Sequence, residues 1–464
     1  MAAMNHPRPT GAVAPTGDAV AERAYREDPI GRDADPGSSA DVVVIGGGIV
    51  GAATAWYLAS RGVSVTLLEK GWIAGEQSGR NWGWVRQQNR DLDELRLMIE
   101  GIRIWERLES ELGADIEWVQ GGNLALARDP ARIRFFEEWH AAAGRLGVDS
   151  RLLSPSEIRE MLPGLAGDWL GAIYTPTDGH AEPALATRAL ARAARRRGAT
   201  IVEGCAVDRI VLSGRRVVGV ETERGRIRAD HVVCAAGVWT ARLLRSLGVE
   251  LPVRIVRSTA ASTEPVEPIT EAGVGYHPVV SFRQRRDGTL YVAAGGWSDY
   301  DITLESFRHL RYFVPNYLKN RRLIRIHVGR PLLADVARAV APWTADRQPW
   351  RRARVLSPPP SEEKVRTSVA EFRRMFPSIP IRVRHAWAGY IDTTPDAIPV
   401  IDRLSAPAGL TVAAGFSGHG FAMGPIVGRV VAELIADGRP SLDLAAFRLG
   451  RFRDGTYKKP RLVA

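Results

Sequence analysis

One stretch constrains this chain more than any other: Asp41-Val-Val-Val-Ile45, then Gly46-Gly-Gly48-Ile-Val-Gly51, then an apolar helical pattern from Ala52 to Arg61 ended by Gly62. A short, continuous apolar run reads as a strand buried on both faces. Gly62 supplies the helix stop, and Val63 to Leu68 reads as a second strand. Strand, helix and strand in this order make one βαβ unit, which commits this part of the chain to an α/β layer.

The glycines sit where a nucleotide-binding turn needs them. Gly46 permits the tight turn, Gly48 lets backbone approach a pyrophosphate, and Gly51 lets helix and strand pack closely. Ile49 and Val50 lie in this turn, which leads into a helix N-terminus whose free N–H groups and dipole favour a pyrophosphate. Glu69, with Lys70 after it, closes the second strand about 20 residues beyond the glycines, where a carboxylate accepts ribose hydroxyls and repels a 2′-phosphate. That argues against NADP. Two more glycine-rich strand ends lie far downstream, Ala235-Ala236-Gly237 and Gly415-Phe-Ser-Gly418-His-Gly420. A long dinucleotide bound in extended form touches all three, which favours FAD over NAD.

At 464 residues the chain is too long for one core, so two joined domains are expected. The glycine-closed strands recur at separated positions. The fold class is therefore α/β, with a nucleotide domain assembled from residues 39–90, 180–250 and 385–447. A β-rich domain is inserted as 91–179 and 251–384. Residues 1–38 read as a disordered leader without the apolar core of a signal peptide, and 448–464 as a tail. Helices are expected at Asp91–Leu112, Pro183–Arg197, Ser306–Asn320, Glu362–Phe376 and Met423–Ala436. No apolar run approaches the roughly 20 residues that span a bilayer, and a cytoplasmic location is the plain inference. Cys205 and Cys234 each fall in a buried strand and read as packing residues, with no disulfide framework and no metal cluster. The net charge is +11, yet the arginines are dispersed and no nucleic-acid motif accompanies them. The basic excess between Arg308 and Arg384 reads as a solvated surface, or as a field for anionic substrates or an acidic partner.

Further motifs are Gln77-Ser78-Gly-Arg80-Asn81-Trp82-Gly83, Val232-Val-Cys-Ala-Ala236-Gly237 with Trp239, Trp387-Ala-Gly389 and Thr394-Pro-Asp396. With the first glycine turn and the Gly415–Gly420 loop, they make the chain resemble the D-amino-acid oxidase-like family of FAD-dependent oxidoreductases. The resemblance runs from about Asp41 to about Phe447 and is loose between Ser298 and Arg382. It implies a Rossmann-like FAD domain beside an α+β substrate domain with an antiparallel or mixed sheet, the isoalloxazine lying between them. By position, Gln77, Ser78, Arg80, Asn81, Trp82 and Gly83 belong beside the flavin and pyrophosphate, and Val207 at the adenine. Ala236, Gly237 and Trp239 flank the pyrophosphate or ribityl chain. The loop with Gly415, Gly418, His419, Gly420 and Phe421 reaches the flavin pyrimidine edge. His419 reads as a hydrogen-bonding neighbour of the cofactor, with acid–base catalysis as the alternative. No histidine lies between Gly71 and Arg90 and no cysteine beyond Cys234, so non-covalent FAD is expected.

The implied activity is oxidation of an amine or amino acid, with O2 or an electron carrier as acceptor. Hydride passes from Cα–H to flavin N5 and water hydrolyses the imine; positioning does most of the work, so no dedicated base is required. A hydroxy-acid dehydrogenase, or the FAD subunit of a larger complex, are the rival readings. Arg283, at the end of an apolar strand before the Asp287-Gly288 turn, is the first candidate for gripping a carboxylate, since its planar fork suits one. Tyr276 and Arg86 are weaker candidates. Relatives often read Gly-x-Arg-Pro-x-Thr-Pro-Asp where this chain has Gly389-Tyr-Ile-Asp392-Thr-Thr-Pro-Asp396. The usual clamp is thus missing, and Asp392 either faces a cationic amine or caps a turn.

Overall fold

The computed structural model describes residues 27–32, 34–293, 297–340 and 349–458. Its first sheet is built around β1 (Ser39–Ile45), which leads through helix α1 (Ile49–Ala59) to β2 (Val65–Leu68). Its main path adds β3 (Thr200–Val202), β4 (Gly225–Cys234), β5 (Val400–Leu404) and β6 (Leu410–Ala414), in the order β5-β6-β4-β1-β2-β3. Along this path the pairs are parallel except β5 with β6, and two further strands, Val207–Ser213 and Arg216–Thr222, extend the sheet from β4 in antiparallel pairing. Two expected strands, Arg226–Ala229 and His231–Ala235, are one continuous β4. Its first half alternates between exposed and buried residues, whereas His231 to Cys234 are buried throughout. One strand thus crosses from a half-solvated to a fully covered setting, and a period reading splits it.

Helix α2 (Leu92–Leu112), expected in the substrate domain, packs instead on α3 (Gly420–Ala436). The Trp105 indole donates to the Ala422 carbonyl at 2.8 Å, and its ring lies 5.0 Å from Phe421. Helix α3 in turn meets α1 at backbone distance. A Cβ on Gly424 would sit 2.6 Å from the Ile49 side chain, and one on Gly428 would sit 2.4 Å from Ala53.

The second sheet is mixed and mostly antiparallel. From one edge it runs Ile324–His327, Ser298–Asp301, Arg254–Thr263, Leu290–Ala293, Val280–Gln284, Gly273–Tyr276, Asn123–Ala127, Gly171–Thr175 and Arg151–Leu153. Val383–Thr393 pairs along nearly all of Arg254–Thr263. Residues 385–393, assigned from sequence to the nucleotide domain, therefore belong to the substrate sheet; the chain returns to the first sheet only at β5.

Both expected loose ends are packed where the structure describes them. Ile30 is buried, and the Glu203 carboxylate accepts the backbone N–H of Ile30 at 2.8 Å, Gly31 at 3.0 Å and Ile73 at 2.9 Å. Residues 1–26 lie outside the described residues. At the other end Phe452 is buried, and buried Arg451 pairs with Asp396 at 2.8 Å. Several arginines of the basic middle segment are ion-paired. Arg325 meets Glu363 at 2.5 Å, Arg351 pairs with Asp208, and Arg354 meets Glu223 at 2.6 Å. The Lys70 ammonium donates to the carbonyls of Ala353 and Arg354 at 3.0 and 2.8 Å. This stretch is thereby pinned across the ends of the nucleotide sheet. No described helix is long and apolar enough to cross a membrane.

Candidate active site

A cavity of about 630 Å³ is walled by both sheets. On the first-sheet side it is lined by Gly46, Gly48, Ile49, Val50, Glu69, Lys70, Val207, Ala236, Gly237 and Trp239. Gln77, Ser78, Arg80, Asn81, Trp82, Gly418, His419, Gly420 and Phe421 follow, and Asp392 joins them from the second sheet. The second-sheet side adds Asn123, Gly275, His277 and Ser281, with Trp84, Arg86, Asn89 and Arg90 from the loop before α2.

The first turn fits an FAD pyrophosphate. Gly46 has φ +111°, and a Cβ there would lie 2.4 Å from the Ala235 carbonyl oxygen, so only glycine is accommodated. Gly48 caps α1 without a side chain of its own, and Ser78 Oγ accepts the Ile49 N–H at 2.9 Å. Gly51 is not on the wall; a Cβ there would strike the Gly46 carbonyl at 2.0 Å, so its part is close packing. Glu69 accepts N–H groups from Gly47 and Gly71, both at 2.7 Å. Burial raises its carboxyl above the ordinary range, against the pull of Lys70 and these two donors. Each carboxylate oxygen retains acceptor capacity for a ribose hydroxyl. Asn89 Oδ1, Arg90 Nη1 and Trp239 Nε1 are buried without protein partners on residues of this wall, and such atoms call for a ligand or water. The donor set therefore suits FAD.

Glu69→Ala should weaken FAD binding while the fold persists, since each charge-assisted bond lost costs roughly 1.5–3 kcal/mol. Titration of the apoprotein with FAD measures this, and unchanged affinity would mean that Glu69 does not hold the ribose.

The loop after β2 is braced internally. Asn81 Oδ1 accepts the Gly83 N–H at 2.8 Å, and the Arg80 guanidinium donates to the carbonyls of Gly75 and Ala388, both at 3.1 Å. Lys70 reaches Glu76 at 2.6 Å and lies 5.0 Å over the Trp239 ring. Arg80 and Lys70 thus line the cavity while tying its walls together. Asp392 caps the glycine loop: its Oδ2 accepts the Gly415 N–H at 2.7 Å. Burial pushes its pKa up to about 6, opposed by that N–H and by the Gln77 amide. Gly415 serves through this bond and is itself off the wall.

Two expected substrate anchors are corrected. Arg283 is fully buried and not on the wall of the main cavity; it pairs with Glu182 at 2.6 Å and donates to the Trp82 carbonyl. The backbone of Trp82 and Gly83 stands between it and the cavity, and a Cβ on Gly83 would lie 2.6 Å from the guanidinium. Gly83 is accordingly a spacer for Arg283, off the cavity wall. Tyr276 lies on the strand face opposite Gly275, as alternation requires, and its ring packs edge-on against Trp169 at 4.9 Å.

Arg86 does line the cavity, and sequence reasoning missed its neighbours Asn89, Arg90 and Glu94. The Asp178 carboxylate shapes their loop by accepting the N–H of Gln87 at 2.7 Å and of Gln88 at 3.1 Å; burial pushes Asp178 up to about 6. Among the described residues Arg86 makes no ion pair, and it sits 5.4 Å over the Trp84 ring. Burial, reinforced by Arg90, lowers its pKa to about 10. Arg90 bonds the Arg86 carbonyl through Nε at 3.2 Å, leaving Nη1 unpartnered. His419 Nδ1 stands 3.0 Å from both oxygens of the buried Glu94 carboxylate. No local signal joined Arg90 and Glu94, since Arg90 lies on the loop before the helix and Glu94 on its first turn.

A family model described as FAD dependent oxidoreductase (DAO) matches residues 41–434. The chain belongs to this family. This FAD-dependent oxidoreductase is 29% identical to sarcosine oxidase subunit beta of Arthrobacter sp, over 91% of this chain and 93% of that one. It is 28% identical to human mitochondrial sarcosine dehydrogenase over 92% of its own length, but spans only 43% of that longer protein. Among solved structures it is similar to L-amino acid deaminase from Proteus myxofaciens in complex with anthranilate. That likeness has a TM-score of 0.84 and 27% identity, over 91% of this chain and 95% of the other. L-proline dehydrogenase from P. horikoshii has a TM-score of 0.74 and 28% identity, covering 91% of this chain and all of that one (100%).

Proposed function

We propose that this FAD-dependent oxidoreductase oxidises the C–N bond of an amine that also carries a carboxylate. The observation that carries the reading is the pair Arg86 and Arg90 on the cavity wall, neither of them in a carboxylate ion pair among the described residues, with Arg90 Nη1 left without a partner there. Guanidinium groups so placed suit a planar carboxylate. Sarcosine, 4-methylaminobutanoate and L-amino acids, named in the relatives, are all amines with a carboxylate, which supports it.

When bound, FAD supplies the acceptor for a hydride leaving the carbon next to nitrogen. Arg86 and Arg90 fix the carboxylate end, so the C–H is oriented rather than free. The N-terminus of α3 carries no acidic side chain in its first turn, and its N–H groups favour negative charge nearby. The imine formed from the substrate is hydrolysed by water.

Anaerobic mixing with sarcosine, proline and common amino acids, each beside its decarboxylated counterpart, tests the reading. Bleaching of the flavin by the carboxylates alone is expected; bleaching by a hydroxy acid instead would favour the rival activity. We further propose non-covalent FAD, because the loop from Gly71 to Arg90 holds no histidine. Acid precipitation should leave the yellow colour in the supernatant, and colour in the pellet would overturn this. A second reading, the FAD subunit of a larger assembly, is supported by the match along 93% of a protein named as a subunit. Turnover by the purified chain alone with O2 would count against it.

A further inference from the structure

We infer that Glu94 and His419 form a proton-accepting dyad: Glu94 holds His419 with Nδ1 protonated, and Nε2 takes the proton from the substrate's ammonium. This rests on the reading that the substrate is an amine.

The geometry supports each part. Glu94 is buried on the first turn of α2, with both oxygens 3.0 Å from His419 Nδ1. A carboxylate can only accept there, so Nδ1 carries the hydrogen and Nε2 keeps its lone pair. His419 lines the cavity at the N-terminus of α3, and its Nε2 has no partner among the described residues.

Charged neighbours come from two other elements: Glu94 on α2, and Arg90 and Arg86 on the preceding loop. Burial, Arg90 and Arg86 depress the imidazole pKa and Glu94 opposes them, so His419 is neutral at pH 7 and free to accept. Those same arginines are proposed to receive the substrate carboxylate. Its arrival offsets their charge and raises the proton affinity of His419 just as an ammonium is delivered.

In the step itself, one N–H bond of the ammonium breaks and its electron pair remains on nitrogen as the lone pair that hydride loss requires. A new N–H bond forms at Nε2, and the imidazolium faces the Glu94 carboxylate. No oxidant enters this step. Glu94 is a positioning residue and His419 the catalytic one.

The test uses the holoenzyme, with FAD content and the visible spectrum confirming that each variant is intact. His419→Gln should slow anaerobic flavin reduction by the best amine about 10²–10⁴-fold at pH 7. The deficit should shrink about tenfold per pH unit, because the neutral amine fraction grows by that factor. Glu94→Gln, which keeps a hydrogen bond but loses the charge, should lose less. A loss in His419→Gln that is the same at every pH overturns the dyad alone. A wild type that no amine reduces overturns the amine reading and the dyad's role with it. One readout needs no turnover: acetate binding, followed by flavin absorbance, should tighten below the His419 pKa in wild type and lose that step in His419→Gln. A step that persists in the variant overturns the assignment.

Discussion

Arg283→Ala is expected to destabilise the fold by about 3–5 kcal/mol, the usual cost of stranding one partner of a buried ion pair. Removal of the guanidinium leaves Glu182, itself buried, facing the Tyr291 hydroxyl at 3.3 Å and Arg285 at 3.0 Å among the described residues. It also removes the donor to the Trp82 carbonyl and the cation stacked 4.5 Å over the Tyr291 ring. Urea denaturation of the holoprotein measures the effect. The protein that does fold should bind substrate with little change in KM, because the Trp82–Gly83 backbone screens this arginine from the cavity. Replacing the pair together, Glu182→Gln with Arg283→Met, should recover much of the stability, since uncharged groups of similar volume often substitute for a buried pair. Stability within about 1 kcal/mol of wild type in Arg283→Ala, well short of the ion-pair cost, would show that the pair is dispensable.

Arg86→Ala should produce the opposite pattern: a KM higher by a factor equivalent to about 2–5 kcal/mol, with FAD content and stability little altered. Arg86→Lys should recover part of the loss, because an ammonium cannot make two parallel bonds to a carboxylate. Steady-state kinetics on the best amine decides this, and a KM within about twofold of wild type, far below the loss of a charge-pair contact, would sink the anchor. Taken together, the two arginine variants separate a residue that holds the protein from one that holds its substrate.

The contrast shows what could be read from the chain. The unit from β1 to β2 was legible because its signals are local: an apolar run, glycines at fixed steps and an acidic residue at the strand end. The downstream glycine turns were legible for the same reason. Which arginine faces the cavity was not. Arg283 shares a strand face with the wall residue Ser281, yet the backbone of Trp82 and Gly83, remote in sequence, covers it. Tyr276 failed on parity, since its neighbour Gly275 holds the cavity side. Glu94 carried no motif and gained its meaning only from α3, which brings His419 to it from the far end of the chain. The boundary at Val383–Thr393 failed similarly: the partner strand Arg254–Thr263 is distant in sequence, and no local period reports such a pairing.

The stretch from Arg351 to Arg354 has a bearing on how long the cofactor stays. It grips Asp208, Glu223 and Lys70, and Asp208 and Lys70 belong to the cavity wall. A clasp made from the substrate half of the chain thus closes over the nucleotide half. Its fastenings include partly solvated ion pairs, which salt loosens. FAD release is therefore expected to quicken as ionic strength rises, independently of the substrate entrance, and FAD off-rates measured at low and high salt check this.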